Sequence, residues 1–337
     1  MSKITSRKVN FLIYFIMLTH QFLFQILEVD YTYFIKGLIF SCFNFGNGLM
    51  RNTEKLAKLC KQRDAVTVPG APNALFARLI EDLGFEAIYV TGAGIANMQL
   101  GMPDLGLTTI SEVSNIVASI SDVVELPIIV DADTGFGNAL NVIRTTRILE
   151  KSGASGIQIE DQVFPKRCGH FSGKEVISKS EMVQKIHAAV DARIDQNLQI
   201  IARTDSVASE GLSSAIDRAQ SYIEAGADIT FVEAPTSKME LERIANELQV
   251  PQIANIVYGG KTPDVGKVQL AKFGFSLVLY ANAILQAALK ASHEVLESLN
   301  EKGSLAMVTE KLASFDDRQA VVKKFDWDKL EKKYNPK

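Results

Sequence analysis

The stretch SGASGI, residues 152–157, decides the fold, because it recurs along the chain with little change. Related stretches are LGFEAI at 83–88 and AGADIT at 225–230. Each places a glycine where an amphipathic helix must end and leads directly into an apolar, strand-like run. Repeated helix–glycine–strand units of this kind indicate βα units and a parallel sheet.

Counting outward from these stretches gives eight strand-like runs, with helical patterns between them. The runs are residues 65–70, 87–91, 127–133, 156–162, 199–205, 228–234, 251–257 and 275–280. The helical patterns are residues 73–83, 109–121, 139–151, 179–192, 211–225 and 237–247. Eight units predict an α/β fold, a closed (β/α)8 TIM barrel. A doubly wound sheet is the alternative, but it needs a glycine-rich phosphate loop after the first strand, and VPGAP at 68–72 is not one.

Two further helices are predicted after the last strand, at 282–301 and 305–315, followed by a charged tail. We interpret them as additional C-terminal helices outside the barrel, and the charged tail as a solvated face.

Composition favours a small-molecule partner. The chain has 337 residues and a formal net charge of −3, so it offers no basic surface for nucleic acid. Its three cysteines, Cys42, Cys60 and Cys168, are far apart and lack a metal-binding spacing, which disfavours disulfides and structural zinc. We expect a reducing, cytoplasmic location.

Residues 1–49 differ from the rest, since they hold 8 of the 18 phenylalanines. We interpret them as an atypical hydrophobic N-terminal extension upstream of a true start at Met50, so that residues 50–337 form a single barrel domain with a C-terminal helical region. A membrane anchor and a structured extension are the alternatives. The apolar run at 11–27 is short for a membrane span and has polar residues in its middle, so we do not expect a membrane partner.

Four carboxylates follow strand-like runs and indicate a metal site. They are Asp104, Asp131, Asp133 and Glu160. The carboxyl ends of barrel strands meet at one face, and Mg²⁺ prefers oxygen ligands. We therefore predict a Mg²⁺ site, with Mn²⁺ as the alternative ion. For any single acid, helix capping or solvation is the competing interpretation.

The loop KRCGH at 166–170 contains a cysteine that has cationic and polar neighbours in the sequence. A lone cysteine is most often a small buried hydrophobe. Here Lys166, Arg167 and His170 surround Cys168, and nearby positive charge lowers the pKa of a thiol. We predict that Cys168 gives or takes a proton and that His170 orders the loop or contacts the substrate.

Further polar residues fall at the ends of later strands and complete the predicted pocket. Arg203 is assigned to catalysis, and Glu233 and Asn255, together with Gly169 of the loop, to substrate binding. Such a cluster at one face of a barrel is hard to explain by capping alone.

These motifs resemble those of the isocitrate lyase and phosphoenolpyruvate mutase superfamily, from about residue 55 to about residue 291. The matching motifs are YVTGAG at 89–94, PDLG at 103–106, DADTGFG at 131–137, IEDQ at 159–162, KRCGH at 166–170, ARTD at 202–205 and FVEA at 231–234.

The resemblance implies roles for individual residues. Asp131 would bind Mg²⁺ directly, and three acids would hold it through water: Asp104, Asp133 and Glu160. Backbone amides of Thr91, Gly92 and Ala93 would bind the substrate α-carboxylate. Arg203 would reach the 2-oxygen, Tyr89 would act as base, and Cys168 would act as acid at the carbon released by cleavage. The resemblance also implies a homotetramer with exchanged terminal helices.

Two departures from relatives affect the substrate prediction. Gln286 stands where methylisocitrate lyases have an arginine for an extra carboxylate, and Tyr258 stands where relatives have a glutamate. We predict an enzyme, a Mg²⁺-dependent carbon–carbon lyase acting on a small 2-hydroxy dicarboxylate of the 2,3-dimethylmalate or methylisocitrate type. The alternatives are a carboxyphosphonoenolpyruvate phosphonomutase, an oxaloacetate hydrolase-type activity, and a non-catalytic dicarboxylate-binding barrel.

Overall fold

Eight parallel strands form the centre of the molecule in the computed structural model, which describes residues 50–167, 169 and 173–335. The strands are β1 Val66–Ala71, β2 Ile88–Val90, β3 Ile128–Asp131, β4 Gly156–Glu160, β5 Gln199–Thr204, β6 Ile229–Val232, β7 Ile253–Asn255 and β8 Leu277–Tyr280. Their order is β6-β5-β4-β3-β2-β1-β8-β7, and a parallel bridge between Thr230 and Gln252 links the two outer strands. The sheet therefore closes, and the predicted (β/α)8 TIM barrel is confirmed.

Helices surround the strands, and several begin at a residue whose side chain caps the helix. They are α1 Asn52–Gln62, α2 Ala74–Asp82, α3 Gly92–Leu100, α4 Ile110–Ser121, α5 Ala139–Lys151, α6 Lys179–Ala192, α7 Val207–Glu210, α8 Leu212–Glu224, α9 Lys238–Glu247 and α10 Lys267–Phe273. Thr109, for example, accepts a hydrogen bond from the Glu112 amide while the Glu112 side chain accepts one from the Thr109 amide. Such caps fix where each helix starts relative to the strand before it.

The core has an inner and an outer layer. Tyr89, Ile129, Ile201, Phe231 and Leu277 pack together inside the barrel. Alternate residues of the same strands pack outward against the helices, in two clusters that include Val130 and Val278. Side chains alternate between these two layers along each strand. The strand ends lie beyond the packed layers and can therefore carry polar groups.

The C-terminal region differs in part from its prediction. Helix α11, Ala283–Lys302, agrees with the predicted helix at 282–301. The predicted helix at 305–315 is wrong: a 3-10 turn spans Thr309–Lys311 and helix α12 spans Phe315–Val321. The reason is a capping box in which Ser314 and Asp317 start α12 at Phe315. The charged tail forms helix α13, Lys324–Tyr334.

The predicted N-terminal extension, residues 1–49, lies outside the described residues. Within the part of the chain that the structure describes, we find no helix that is both long and apolar enough to cross a membrane.

Candidate active site

Polar side chains meet at the carboxyl ends of the strands, as the sequence predicted. Asp131 ends β3, Glu160 ends β4, and Asn255 ends β7. Most of the predicted residues line one pocket: Tyr89, Thr91, Ala93, Asp104, Asp131, Gly169, Arg203, Glu233 and Asn255. The structure thus brings side chains from separate βα units to one point.

Asp131 is held firmly on the floor of this pocket. Its Oδ1 accepts hydrogen bonds from Gln158 Nε2 at 3.2 Å and from the Asp133 amide at 3.1 Å, and its Oδ2 accepts one from the Gly92 amide at 3.3 Å. A Cβ at Gly92 would lie 3.0 Å from Asp131 Oδ2 and 3.2 Å from Asp133 Oδ1. Gly92 therefore allows the two carboxylates to approach the start of α3.

Lys166 contacts two of the predicted metal ligands. Its Nζ lies 2.5 Å from Asp104 Oδ1 and 2.8 Å from Asp133 Oδ1, and the residue is only 4% exposed. Burial by itself lowers the pKa of Lys166, but Asp133, Glu160, Asp104 and Asp131 raise it well above its usual value. Burial raises the pKa of Asp133 to about 6, while Lys166 opposes that rise. The lysine is therefore a permanent cation among the acids.

Arg203 is the second cation of the pocket and contacts three acids. Its guanidinium pairs with Asp205 at 2.9 and 3.0 Å, lies 3.3 Å from Glu160 Oε2 and lies 3.5 Å from Glu233 Oε2. Asn255 Nδ2 donates to Glu233 Oε2 at 3.3 Å. This two-point pairing with Asp205 fixes the plane of the guanidinium, which is what a directed contact to a substrate oxygen requires.

The start of α3 lies at the pocket, where the Gly92 amide donates to Asp131 Oδ2 at 3.3 Å. Thr91 caps this helix, and its Oγ1 accepts a hydrogen bond from the Gly94 amide at 3.2 Å. Helix N-terminal amides point along the axis and favour negative charge. This arrangement suits the predicted carboxylate contact by Thr91, Gly92 and Ala93.

Tyr89 lies fully buried below these groups. Its hydroxyl donates to Gln158 Oε1 at 2.8 Å, and burial, with help from Asp131, raises its pKa well above the usual value. Tyr89 can act as a base only after losing its proton, which the surrounding carboxylates oppose. Its assignment as base stays a prediction.

Gly169 packs directly against Arg203 and Glu233. A Cβ there would lie 2.3 Å from Arg203 Nη2 and 2.8 Å from Glu233 Cγ. Lys174 Nζ donates to the Gly169 carbonyl at 2.5 Å and pairs with Asp205 Oδ1 at 2.7 Å. A residue larger than glycine would not fit at 169 in this arrangement. Cys168 and His170, on either side of it, lie outside the described residues, so their predicted roles stay predictions.

Sequence reasoning missed several supporting residues. Gln158 orients Asp131, and Lys174 ties Gly169 to Asp205. Asp161 braces β4 against β5, because it accepts hydrogen bonds from Thr204 Oγ1 at 2.7 Å and from the Asp205 amide at 2.9 Å. Gln158 carried a usable signal: it sits two residues before Glu160 in an otherwise apolar strand, so both point to the same face.

Among the described residues, no group of three or more His, Cys, Asp or Glu side chains is arranged to hold a metal ion in this structure. The cause is visible in the geometry, since Lys166 engages Asp104 and Asp133 while Arg203 engages Glu160. The donors themselves suit a hard cation, because all are carboxylates. Glu160 Oε1 is also buried without a hydrogen-bond partner in the described part of the chain. The residues fit a divalent ion on condition that the ion replaces the lysine ammonium.

A larger cavity of about 680 Å³ adjoins the pocket. The two share Ala93, Asp104, Val257 and Asn282 as lining residues. The cavity is walled mainly by apolar side chains: Met98, Pro103, Leu285, Ala288 and Leu289. None of the described residues that line it is lysine, arginine or histidine. Gln286 Nε2 donates to the Tyr258 carbonyl at 3.2 Å; both residues line the cavity, and Tyr258 is largely exposed.

Sequence comparisons agree with this geometry. The family model for phosphoenolpyruvate phosphomutase matches residues 56–300. The chain is 46% identical over 274 residues to 2-methylisocitrate lyase of Aeropyrum pernix, a match that covers 81% of this chain and 88% of that protein. It is 41% identical over 268 residues to 2,3-dimethylmalate lyase of Eubacterium barkeri, covering 80% and 93% respectively.

Solved structures give the same result. A crystal structure of 2,3-dimethylmalate lyase superimposes with a TM-score of 0.80 at 32% identity and covers 85% of this chain and 96% of its own. A phosphonopyruvate hydrolase, solved as a complex with oxalate and Mg²⁺, superimposes with a TM-score of 0.77 at 28% identity, covering 85% and 100%. The resemblance found in the motifs is confirmed.

Proposed function

The chain belongs to the phosphoenolpyruvate phosphomutase family, and from this we propose that it is a Mg²⁺-dependent carbon–carbon lyase. Its substrate is a small 2-hydroxy dicarboxylate, which it splits into pyruvate or a related 2-oxo acid and a carboxylate. One observation carries the proposal: Arg203, Thr91 and Ala93 line one pocket together with Lys166, a cation on which all four predicted ligand carboxylates act. Relatives named as lyases of such acids support it.

The chemistry requires stabilisation of negative charge on oxygen. The 2-hydroxyl loses its proton, the C2–C3 bond breaks, C2 becomes the carbonyl of a 2-oxo acid, and the electron pair passes to C3 next to its carboxylate. A divalent ion held by Asp131, with Asp104, Asp133 and Glu160 around it, would supply Lewis-acid stabilisation of the 2-oxygen. Arg203 contributes fixed positive charge to the same region. The Cys168 thiol donates the proton that C3 takes up.

The adjoining cavity supports a particular kind of substrate. A third carboxylate would need a cation there, and the described lining residues provide none. Alkyl substituents would instead bury apolar surface against residues such as Leu285 and Leu289. We therefore favour a 2,3-dimethylmalate-like substrate over methylisocitrate.

A panel of diacids tests the function directly. With Mg²⁺, we expect pyruvate release from 2,3-dimethylmalate, with kcat/KM at least about tenfold above that for methylisocitrate, because leaving a charge unpaired in an apolar cavity costs well over 1.4 kcal/mol. Chelation by EDTA should abolish release, and added Mg²⁺ should restore it. Lactate-dehydrogenase-coupled detection measures the pyruvate. Absence of turnover on every diacid would refute the lyase assignment.

Gln286→Arg is the matched variant for this preference. The new guanidinium would place a cation beside the cavity, so we expect the ratio of kcat/KM values to shift towards methylisocitrate by about tenfold or more. An unchanged ratio would show that the cavity does not receive the variable part of the substrate.

The phosphonomutase alternative has its own measurement. A chloroplastic carboxyvinyl-carboxyphosphonate phosphorylmutase of Arabidopsis thaliana is 38% identical to this chain over 293 residues. Phosphorus-31 spectra of a phosphonate substrate would stay unchanged with a lyase, whereas a new resonance would favour the mutase.

We also propose that the protein is a cytoplasmic homotetramer. Helices α11, α12 and α13 bury none of their residues fully, and they expose large apolar side chains: Leu289, Phe315, Phe325 and Trp327. Exposed apolar surface of this extent is typical of an interface. Sedimentation equilibrium at several protein concentrations measures the assembly state.

A further inference from the structure

The pocket at the strand ends has almost no free volume in this structure. About 30 Å³ remains inside it, whereas small-molecule sites usually have roughly 300–1,000 Å³. Lys166 and Gly169 are among the groups that line it. A diacid and a hydrated ion do not fit until one of these groups moves.

Lys166 is the group that contacts the predicted metal ligands. Its ammonium contacts Asp104 and Asp133 directly, at 2.5 and 2.8 Å. The field of Asp131 and Glu160 acts on it as well, and these four residues are the complete predicted metal-ligand set. The buried ammonium thus contacts two of the four acids that a divalent ion would need, and the other two act on it electrostatically.

Direct replacement follows from charge and from lone pairs. Asp104 Oδ1 accepts a hydrogen bond from the ammonium and Asp133 Oδ1 is ion-paired with it at 2.8 Å, so neither oxygen can at the same time face a divalent ion or a water bound to that ion. An ammonium and a divalent ion within a few ångströms in a buried site also repel each other strongly. The two cations therefore compete for the same oxygens.

We propose that the Lys166 ammonium is an internal substitute for the divalent ion, which stabilises the metal-free pocket and must leave it when the metal binds. This rests on the proposed metal site. Lys166 is then a positioning residue that sets the metal affinity, because part of the binding free energy of the ion is spent on breaking its two ion pairs. Once these two ion pairs are broken, the ammonium moves towards solvent.

Calorimetric titration with Mg²⁺ alone tests the competition without any turnover. We expect Lys166→Met to bind Mg²⁺ at least tenfold more tightly than the wild-type protein, and to melt at a lower temperature in EDTA because its acids then lack a counter-ion. Lys174→Met is the matched control, since Lys174 is equally buried but pairs with Asp205. Its Mg²⁺ affinity should stay within about threefold of the wild-type value.

A measurement on the wild-type protein avoids any folding defect of the variants. Acetylation of lysine amines, read by peptide mass spectrometry, should be slow at Lys166 in EDTA and at least fivefold faster with saturating Mg²⁺. Lys174 serves as the internal reference and should not change.

The outcomes separate the two proposals. Two results would overturn the competition and leave the lyase proposal standing. One is Mg²⁺ binding of equal strength in the wild-type protein and Lys166→Met. The other is an acetylation rate at Lys166 that does not change when Mg²⁺ is added. If neither protein binds Mg²⁺, the metal site itself is refuted, and the role of Lys166 with it.

Discussion

Replacing Arg203 with glutamine should lower kcat for diacid cleavage by about 10³-fold, because a fixed donor to the developing oxyanion is lost. The guanidinium is buried, and Asp205 holds it in one plane through two contacts of 2.9 and 3.0 Å. Glutamine keeps a polar side chain, but it is shorter and carries no charge. Initial rates of pyruvate release at saturating diacid and Mg²⁺ measure the effect.

The same substitution should also destabilise the barrel, so the two effects must be separated. Removing Arg203 leaves three buried carboxylates, Glu160, Asp205 and Glu233, without their shared cation. Breaking a buried ion pair from one side costs about 3–5 kcal/mol. We expect a loss of that order in the free energy of unfolding, measured by denaturant titration.

Two variants separate the effect on catalysis from the effect on stability. Arg203→Lys keeps a charge near the acids but loses the two-point contact with Asp205, so it should recover stability while kcat stays at least about 100-fold low. Arg218→Gln removes a different buried arginine, which pairs with Glu210 and Asp161. It should lower stability with little change in kcat. Near-normal turnover by Arg203→Lys would contradict the role given to the guanidinium.

The fold was predictable because each βα unit carries its own local signal. A glycine that ends a helix and an apolar run after it suffice to count strands, and the barrel rule then brings the strand ends together. Asp131, Glu160 and Asn255 could be placed at one face on this basis alone. The helix expected at 305–315 is wrong because the capping box of Ser314 and Asp317 starts a helix at Phe315, where the predicted one was to end.

The partners of the charged groups could not be predicted in the same way. Lys166 was recognised as part of a cationic loop, but its contacts with Asp104 and Asp133 join residues 62 and 33 positions away. Nothing in the local pattern of a loop fixes which distant acid its side chain meets. Lys174 and Asp205 are a second case, since their ion pair joins residues 31 positions apart.

Replacing Cys168 with serine should lower kcat by about 10²–10⁴-fold, the usual contribution of a positioned general acid. A serine hydroxyl has nearly the same shape as a thiol but gives up its proton far less readily. Substrate and Mg²⁺ affinities should stay close to those of the wild-type protein, because the carboxylates and the α3 amides are unchanged. Rapid-quench measurement of cleavage and calorimetric Mg²⁺ titration test the two halves of this expectation.

Cys60→Ser is the control, since burial raises the pKa of the Cys60 thiol to about 12 and its side chain packs in the barrel core rather than in the pocket. It should cost some stability and leave kcat unchanged.

The pH profile gives a sharper distinction than the rate alone. A thiol that donates a proton is active only while protonated, so the wild-type rate should fall as pH rises through the pKa of the thiol. The residual rate of Cys168→Ser should lack this alkaline decline. If the decline persists in the variant, another group donates the proton to C3, and the thiol has no part in the chemistry.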